Sequence, residues 1–454
     1  MPLASIHRKG WTILNVSVAI YMATLDASVM SISLPTIIQS LNTNVKMVAW
    51  VMMAYLIVIT GSLLLMGRLA DLFGQRRMYL LGLFIFMVGS ILCGLSPTIQ
   101  ALIGSRMIQG LGASSLMAIG PVIVTRVFPE RNRGQVLGIL GSIVSIGYIT
   151  GPVIGGFLIE HLGWRAIFFV NLPIGMIGIY LSSFVLQKDE PLDKTPVDLW
   201  GALLLFIFLS AFLLLLNGIG GGTHRWVWGY LIVSLCSLGL FIRVEHRSSF
   251  PLVELRLFRR RLFTSSVLAS LLSFWMQGAH VFVIPFFLQN LLGFSPSKVG
   301  MFIFPVALAV MVIAPLGGRL SDRIGARIPA TLGLTLTSFA IFSFIFLKTG
   351  TGDYDILWRQ IILGIGIGFF NPANNSAIMG SLPKEKSGLA SSFLALARNL
   401  GLAIGVGCAE MVISLGSPVG EIVPFKSIQD VWKLAILMGL MALLVSWTRE
   451  KKSV

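Results

Sequence analysis

The chain is predicted to be an all-α membrane protein of fourteen spanning helices, arranged as two six-helix bundles with a two-helix insert between them. Composition is the first reason: of 454 residues, 56% are hydrophobic and only 11% charged, whereas soluble domains carry roughly 25% charged residues. The second is a series of fourteen apolar runs centred near residues 24, 58, 86, 113, 147, 176, 208, 235, 275, 308, 337, 367, 400 and 440. Each is about 20 residues long, the length a helix needs to cross a hydrocarbon core of about 30 Å. The third is an internal repeat. The segment GRLADLFGQRR at 67–77 returns as GGRLSDRIGAR at 317–327, so that Gly67, Leu69, Asp71, Gly74 and Arg76 align with Gly318, Leu320, Asp322, Gly325 and Arg327. A short charged, glycine-containing segment between two long apolar runs reads as a tight turn between membrane helices.

The first span follows MPLASIHRKG and carries Asp26 near its middle. It is too long for a signal peptide and has no small-residue cleavage site, so an uncleaved span is expected. Around the acid, in ATLDASVMSISLP, the small residues Ala27, Ser28, Ser31 and Ser33 leave room, and Pro35 ends or kinks the helix. An ionisable residue at mid-span costs about 2.5–3.5 kcal/mol on insertion scales, so it needs a cavity, a partner or a function. Desolvation penalises the anion, which suits this carboxylate to exchanging a proton. The alternatives are a structural acid or a partner for an arginine on another helix. In the fourth span, Arg106 and Gln109 sit beside Gly110, Gly112 and Ala113. The guanidinium reaches a neighbouring acid or carbonyl, or else snorkels to the interface.

The fifth span has Gly147, Gly151 and Gly155 at four-residue spacing, with Gly156 and a kink at Pro152. Such a flat face allows close helix contact and predicts a helix that rocks against a partner across the two halves. The repeat continues beyond the loop: Arg106 is echoed by Arg359, Pro129 and Gly134 by Pro383 and Gly388, and Gly147 and Gly151 by Gly401 and Gly405. Two runs between residues 190 and 250 have no counterpart elsewhere. The expected division is therefore a bundle over 1–190, an insert over 191–250 and a second bundle over 251–454. An even number of spans separates corresponding turns, which makes the halves parallel repeats.

In the second half, Trp275, Gln277 and His280 in the ninth span and Asn371, Asn374 and Asn375 in the twelfth are candidates for lining a substrate cavity. Gln109 and Glu410 join them. Rings and amides hold amphipathic solutes by stacking and hydrogen bonding, although interhelical hydrogen bonds explain such residues as well.

The formal charge of +16 is distributed so as to exclude a nucleic-acid partner. With the N-terminus inside, 24 of the 34 Lys and Arg residues fall in cytoplasmic segments and 7 on the opposite side. That imbalance predicts both termini in the cytoplasm. Cys93, Cys236 and Cys408 lie in apolar runs without metal-ligand spacing and are read as small buried hydrophobes. No nucleotide-binding loop, metal cluster or nucleophile motif is present, so neither an enzyme nor ATP dependence is expected.

On these residues the chain resembles the major facilitator superfamily, in particular its 14-helix branch of drug:proton antiporters. The family's loop signature G-x-L-a-D-r-x-G-r-k is similar to Gly67–Arg76, departing at Leu72 and Gln75. R-x-x-Q-G is matched by Arg106, Gln109 and Gly110, and G-x-x-x-G-P-x-x-G-G by Gly147, Gly151, Pro152, Gly155 and Gly156. WRAIFFVNLPIG resembles the branch's entry to helix six. The first-helix pattern L-D-x-T-V-x-N-x-A-L-P is matched at Leu25, Asp26, Val29, Leu34 and Pro35, with Ser28, Ser31 and Ser33 in place of Thr, Asn and Ala.

The resemblance implies multidrug efflux: a monomer in the plasma (inner) membrane, in contact with lipid, exchanging protons for small amphipathic or cationic compounds. No cofactor is needed beyond the proton gradient. Asp26 would carry the proton with help from Arg106. Asp71, with Arg76 and Arg77 nearby, would clamp the cytoplasmic side shut in the outward-open state, Asp322 being its weaker echo, while Gly67 and Gly74 shape the turn. Two alternatives stand beside it: a dedicated exporter or facilitative carrier of one metabolite, lipid or siderophore, and, more remotely, a membrane protein that transports nothing.

Overall fold

In lipid every backbone polar group has to be satisfied within its own segment, which leaves an apolar chain of this kind the helix as its spanning element. The computed structural model describes residues 2–128, 133–186, 189, 198–220, 224–248, 255–348, 350–382, 387–416 and 423–449, and among them there is no strand. Its helices in the first half are α1 (Pro2–Ser40), α2 (Val45–Phe73), α3 (Gln75–Leu95), α4 (Ile99–Val127), α5 (Arg133–Leu162) and α6 (Ala166–Val185). The insert is α7 (Leu199–Gly220) and α8 (His224–Arg247). The second half comprises α9 (Arg261–Leu291), α10 (Pro296–Ile324), α11 (Arg327–Phe344), α12 (Asp353–Gly380), α13 (Ser387–Gly416) and α14 (Phe425–Trp447). Each predicted centre falls inside one of them. Thirteen are long and apolar enough to cross a membrane among the described residues, and α5 adds the apolar stretch Ile146–Leu162. Fourteen successive helices bring Pro2 and Arg449 to one end of the bundle, called here the terminal face; the other is the remote face.

Local chemistry sets the helix ends. Asn44 caps α2 by accepting from the Met47 amide at 2.9 Å, and Thr98 caps α4 by accepting from Ala101 at 3.2 Å. The two copies of the loop signature turn on equivalent glycines, Gly74 at φ 102° between α2 and α3 and Gly325 at φ 83° between α10 and α11. This left-handed backbone is what makes glycine necessary there.

The repeat extends to packing. In the first half α1 packs on α5, α3 and α2 pack on α4, and α6 lies against α1 and α3. In the second half α9 packs on α13, α11 and α10 pack on α12, and α14 lies against α9 and α11. The halves meet along two seams, α5 with α10 and α2 with α13. The insert is not set apart from them. Helix α7 lies against both α2 and α13, with Phe206 on Gly61 and Leu213 and Leu216 near Gly407. Helix α8 is outermost and presents Trp226, Ile232, Leu235 and Leu240 to lipid.

Two expectations are revised. Cys93 and Cys408 are buried, but Cys236 is exposed on α8, because that helix has a lipid face where a small apolar residue is equally at home. The Gly147–Gly151–Gly155 stripe faces α1 of its own half: side chains there would overlap Thr24, Ser28 and Val29. Contact across the halves is made by the neighbouring face of α5, where Gly156 meets the Pro296 carbonyl and the Pro152 carbonyl meets Gly300 of α10. Pro129, Pro383 and the division points near residues 190 and 250 lie outside the described residues.

Candidate functional site

Asp26 lies inside the first bundle, 3% exposed, and is enclosed by protein. Its carboxylate is the centre of a buried network. Arg106 of α4 donates to Oδ2 at 2.5 Å, while Gln109 of α4 and Asn171 of α6 each donate to Oδ1 at 2.9 Å. Ser90 of α3 accepts from the same Gln109 and Asn171 amides at 2.8 and 3.3 Å. Arg106, 1% exposed, also donates to Gln109 Oε1 at 2.5 Å and to the Val51 carbonyl of α2 at 3.3 Å. Its guanidinium lies 4.0 Å from the centroid of the buried Tyr55 ring, a cation–π contact that burial strengthens. Five helices thus converge on one acid and one base. An isolated charge here would be prohibitive, and a paired, fully hydrogen-bonded one is tolerable.

The sequence singled out Asp26, Arg106 and Gln109, and the structure brings all three together. It did not single out Asn171, Ser90 or Tyr55. Asn171 was visible as the lone amide in WRAIFFVNLPIG.

The second half repeats the arginine without the acid. Arg359 donates to the Ser343 carbonyl at 2.9 Å and pairs with Asp355, one turn earlier on its own helix. At the offsets of the repeat Asp26 falls on Gln277 to His280 of α9, a stretch that holds no acid.

The candidate cavity residues are dispersed. His280 is buried inside the second bundle, its ring 4.7 Å from Phe344, and Gln277 bonds back to Ser273 at 3.1 Å. Trp275 and Asn371 are half-buried and Asn375 is exposed. Asn374 accepts from Arg449 at 2.5 Å towards the terminal face, and Glu410, fully buried, accepts from Ser414 at 2.5 Å.

At the signature loop, the Arg76 and Arg77 amides that open α3 donate to the Asp189 carboxylate at 2.9 and 3.2 Å. An acid at a helix N-terminus is favoured by the helix dipole. A side chain at Gly74 would overlap this carboxylate, whereas Gly67 has open space around it. Among the described residues neither Asp71 nor Asp322 forms an ion pair. Arg398 of α13 donates to Met117 Sδ of α4 at 3.9 Å, and two further bonds between the halves lie towards the remote face. Ser297 donates its amide to Glu160 at 2.9 Å, and Gln289 donates to the Ile32 carbonyl at 2.9 Å.

Comparison with known proteins places this arrangement. The chain is 36% identical to the riboflavin transporter RibZ of Clostridioides difficile, over 88% of this chain and 87% of that protein. It is 32% identical to the multidrug resistance protein Stp of Mycobacterium tuberculosis, over 89% and 75%. Among solved structures, the xylose transporter XylE from E. coli in a partially occluded inward-open conformation aligns at TM-score 0.68 and 12% identity, over 99% of both chains, a likeness of fold. The family model of the Major Facilitator Superfamily matches residues 16–406, and the chain belongs to that superfamily.

Proposed function

We propose that the chain is a proton-coupled exporter of small amphipathic compounds, working by alternating access between its two halves, with Asp26 as the proton carrier and Arg106 as its counter-charge. The observation that carries this reading is the carboxylate of Asp26 at mid-span, gripped by three donors from two other helices. Hydrogen bonds to a charged group contribute about 1.5–3 kcal/mol each. Protonation removes the charge that they serve. Swinging a two-state equilibrium from about 1:99 to 99:1 takes about 5.5 kcal/mol, so neutralising one such acid is a change of the required size. With Asp26 neutral, α1 is held less firmly to α4 and α6. Because α1 also touches α9 through Gln289, that loosening reaches the other half.

In the cycle, Asp26 takes its proton from the remote side and gives it up on the terminal side as substrate binds. The excess of Lys and Arg in the terminal-face loops supports a cytoplasmic terminal face in the plasma (inner) membrane. Export of several compounds is favoured by likeness to proteins named for multidrug resistance and for multidrug transport. A second reading, a carrier dedicated to one metabolite, is favoured by the likeness to a riboflavin transporter.

Everted vesicles under an imposed pH gradient test the coupling. The wild-type chain accumulates ethidium at the expense of the gradient, and Asp26→Asn abolishes uphill accumulation. Normal coupling in Asp26→Asn rejects the assignment.

A further inference from the structure

Two of the arginines inside spans bring their own counter-ion: Arg106 pairs with Asp26 and Arg359 with Asp355, each a carboxylate of the same half. Arg398, inside α13, is different. Among the described residues no acid pairs with it. The one acceptor its guanidinium reaches is the Met117 sulfur of α4 at 3.9 Å, and a thioether is a weak acceptor for a group made of N–H donors. Its Nε is buried with no acceptor at all. The next residue, Asn399, is 2% exposed, and its Nδ2 lacks an acceptor too. Buried donors are normally satisfied, so unmet ones on adjacent residues point to an acceptor that comes from elsewhere.

The position of Arg398 says where that acceptor sits. It lies about three turns into α13 from the terminal face, and Met117 lies about three turns from the terminal end of α4, so the two meet about 15 Å in from that face. Beyond them, towards the remote face, the halves are bonded by Glu160–Ser297 and Gln289–Ile32. The flanks of α13 are taken by α2, α7, α9 and α14. The half-buried Arg398 side chain reaches to α4, so its accessible surface lies between the halves and away from lipid. Apolar surface adjoins it. Met117 is half-buried, and one turn along α13 Gly401 packs directly against Phe274 and Trp275 of α9, both half-buried.

We infer that Arg398 is the docking point for an acidic group on the transported molecule, which makes amphipathic anions, an aromatic or hydrocarbon body bearing a carboxylate, the preferred substrates. The inference rests on the export reading above and adds its substrate class. A carboxylate fits the planar guanidinium with two parallel hydrogen bonds and displaces the sulfur. It supplies to Arg398 what Asp26 supplies to Arg106. A cationic substrate meets the same charge as a repulsion.

Binding to the purified protein in detergent tests this with three dyes: a diethylaminocoumarin carboxylate, its carboxamide, which has the same body without the charge, and ethidium. Fluorescence anisotropy gives each Kd. The wild type binds the carboxylate about tenfold more tightly than the carboxamide, equivalent to about 1.4 kcal/mol. Arg398→Gln brings that ratio to about one and tightens ethidium, two shifts in opposite directions that a loss of folding does not produce. Arg398→Lys, which keeps the charge, keeps part of the preference. A wild-type ratio of about one overturns the inference, as does wild-type binding of neither coumarin or a preference that survives Arg398→Gln. Equal weakening of all three dyes by Arg398→Gln marks a structural role and overturns it too. The export reading fails separately, when wild-type vesicles under the pH gradient accumulate neither ethidium nor the carboxylate, whatever ratio is measured in detergent.

Discussion

The Asp26–Arg106 pair is stable because neither charge faces an empty partner. Truncating one side therefore costs more than truncating both. Breaking a buried pair by removing one member typically destabilises by about 3–5 kcal/mol, since an uncompensated charge stays behind, while replacing both is far milder. Arg106→Ala is accordingly expected to lower the thermal stability of the purified protein sharply, and Asp26→Asn with Arg106→Gln to lower it less. Thermal unfolding in detergent measures both. At this scale charge was legible and neutral polarity was not. Asp26 and Arg106 stand out because an apolar run has no other reason to contain them. Asn171 and Ser90 are ordinary residues of a membrane helix until packing brings α3 and α6 against the acid, and neither run of sequence records that contact. The same holds for His280 and Asn374, whose partners Phe344 and Arg449 lie on other helices.

Among the elements, the signature glycines divide into two kinds. Gly74 adopts φ 102°, and a side chain there would overlap the Asp189 carboxylate that caps α3. Gly74→Ala is expected to destabilise the fold by more than the roughly 1 kcal/mol that a compatible Gly→Ala change would supply. Gly67 lies within α2 with nothing near its missing side chain, so Gly67→Ala should stabilise by up to about 1 kcal/mol through helix propensity. If Gly67→Ala nonetheless loses transport, the position is needed for a close approach in the other conformation. Unfolding and transport assays on the same two variants separate these cases. The fourteen spans were readable because lipid imposes length and hydropathy on every one of them. The partner of the α5 glycine stripe was not, since a flat face announces close packing without saying against which helix, and it proved to be α1.

For the molecule as a whole, the repeat and the charge bias were legible, whereas the state was not, because one sequence encodes every conformation that a transporter adopts. In this state the halves are joined towards the remote face by Glu160–Ser297, Gln289–Ile32 and the Gly300–Pro152 contact. A side chain at Gly300 meets the Pro152 carbonyl and wedges α5 from α10. Gly300→Val is therefore expected to shift the population towards opening on the remote face. It should raise the rate at which a membrane-impermeant maleimide labels a cysteine at position 289, and an unchanged rate speaks against closure at this contact. Opening and closing of this kind does transport work only if it is tied to the charge on Asp26. The most direct measurement is proton release on substrate binding, made in weakly buffered detergent solution with purified protein. The account predicts that ethidium displaces a proton from the wild-type chain and none from Asp26→Asn; equal release from both would contradict it.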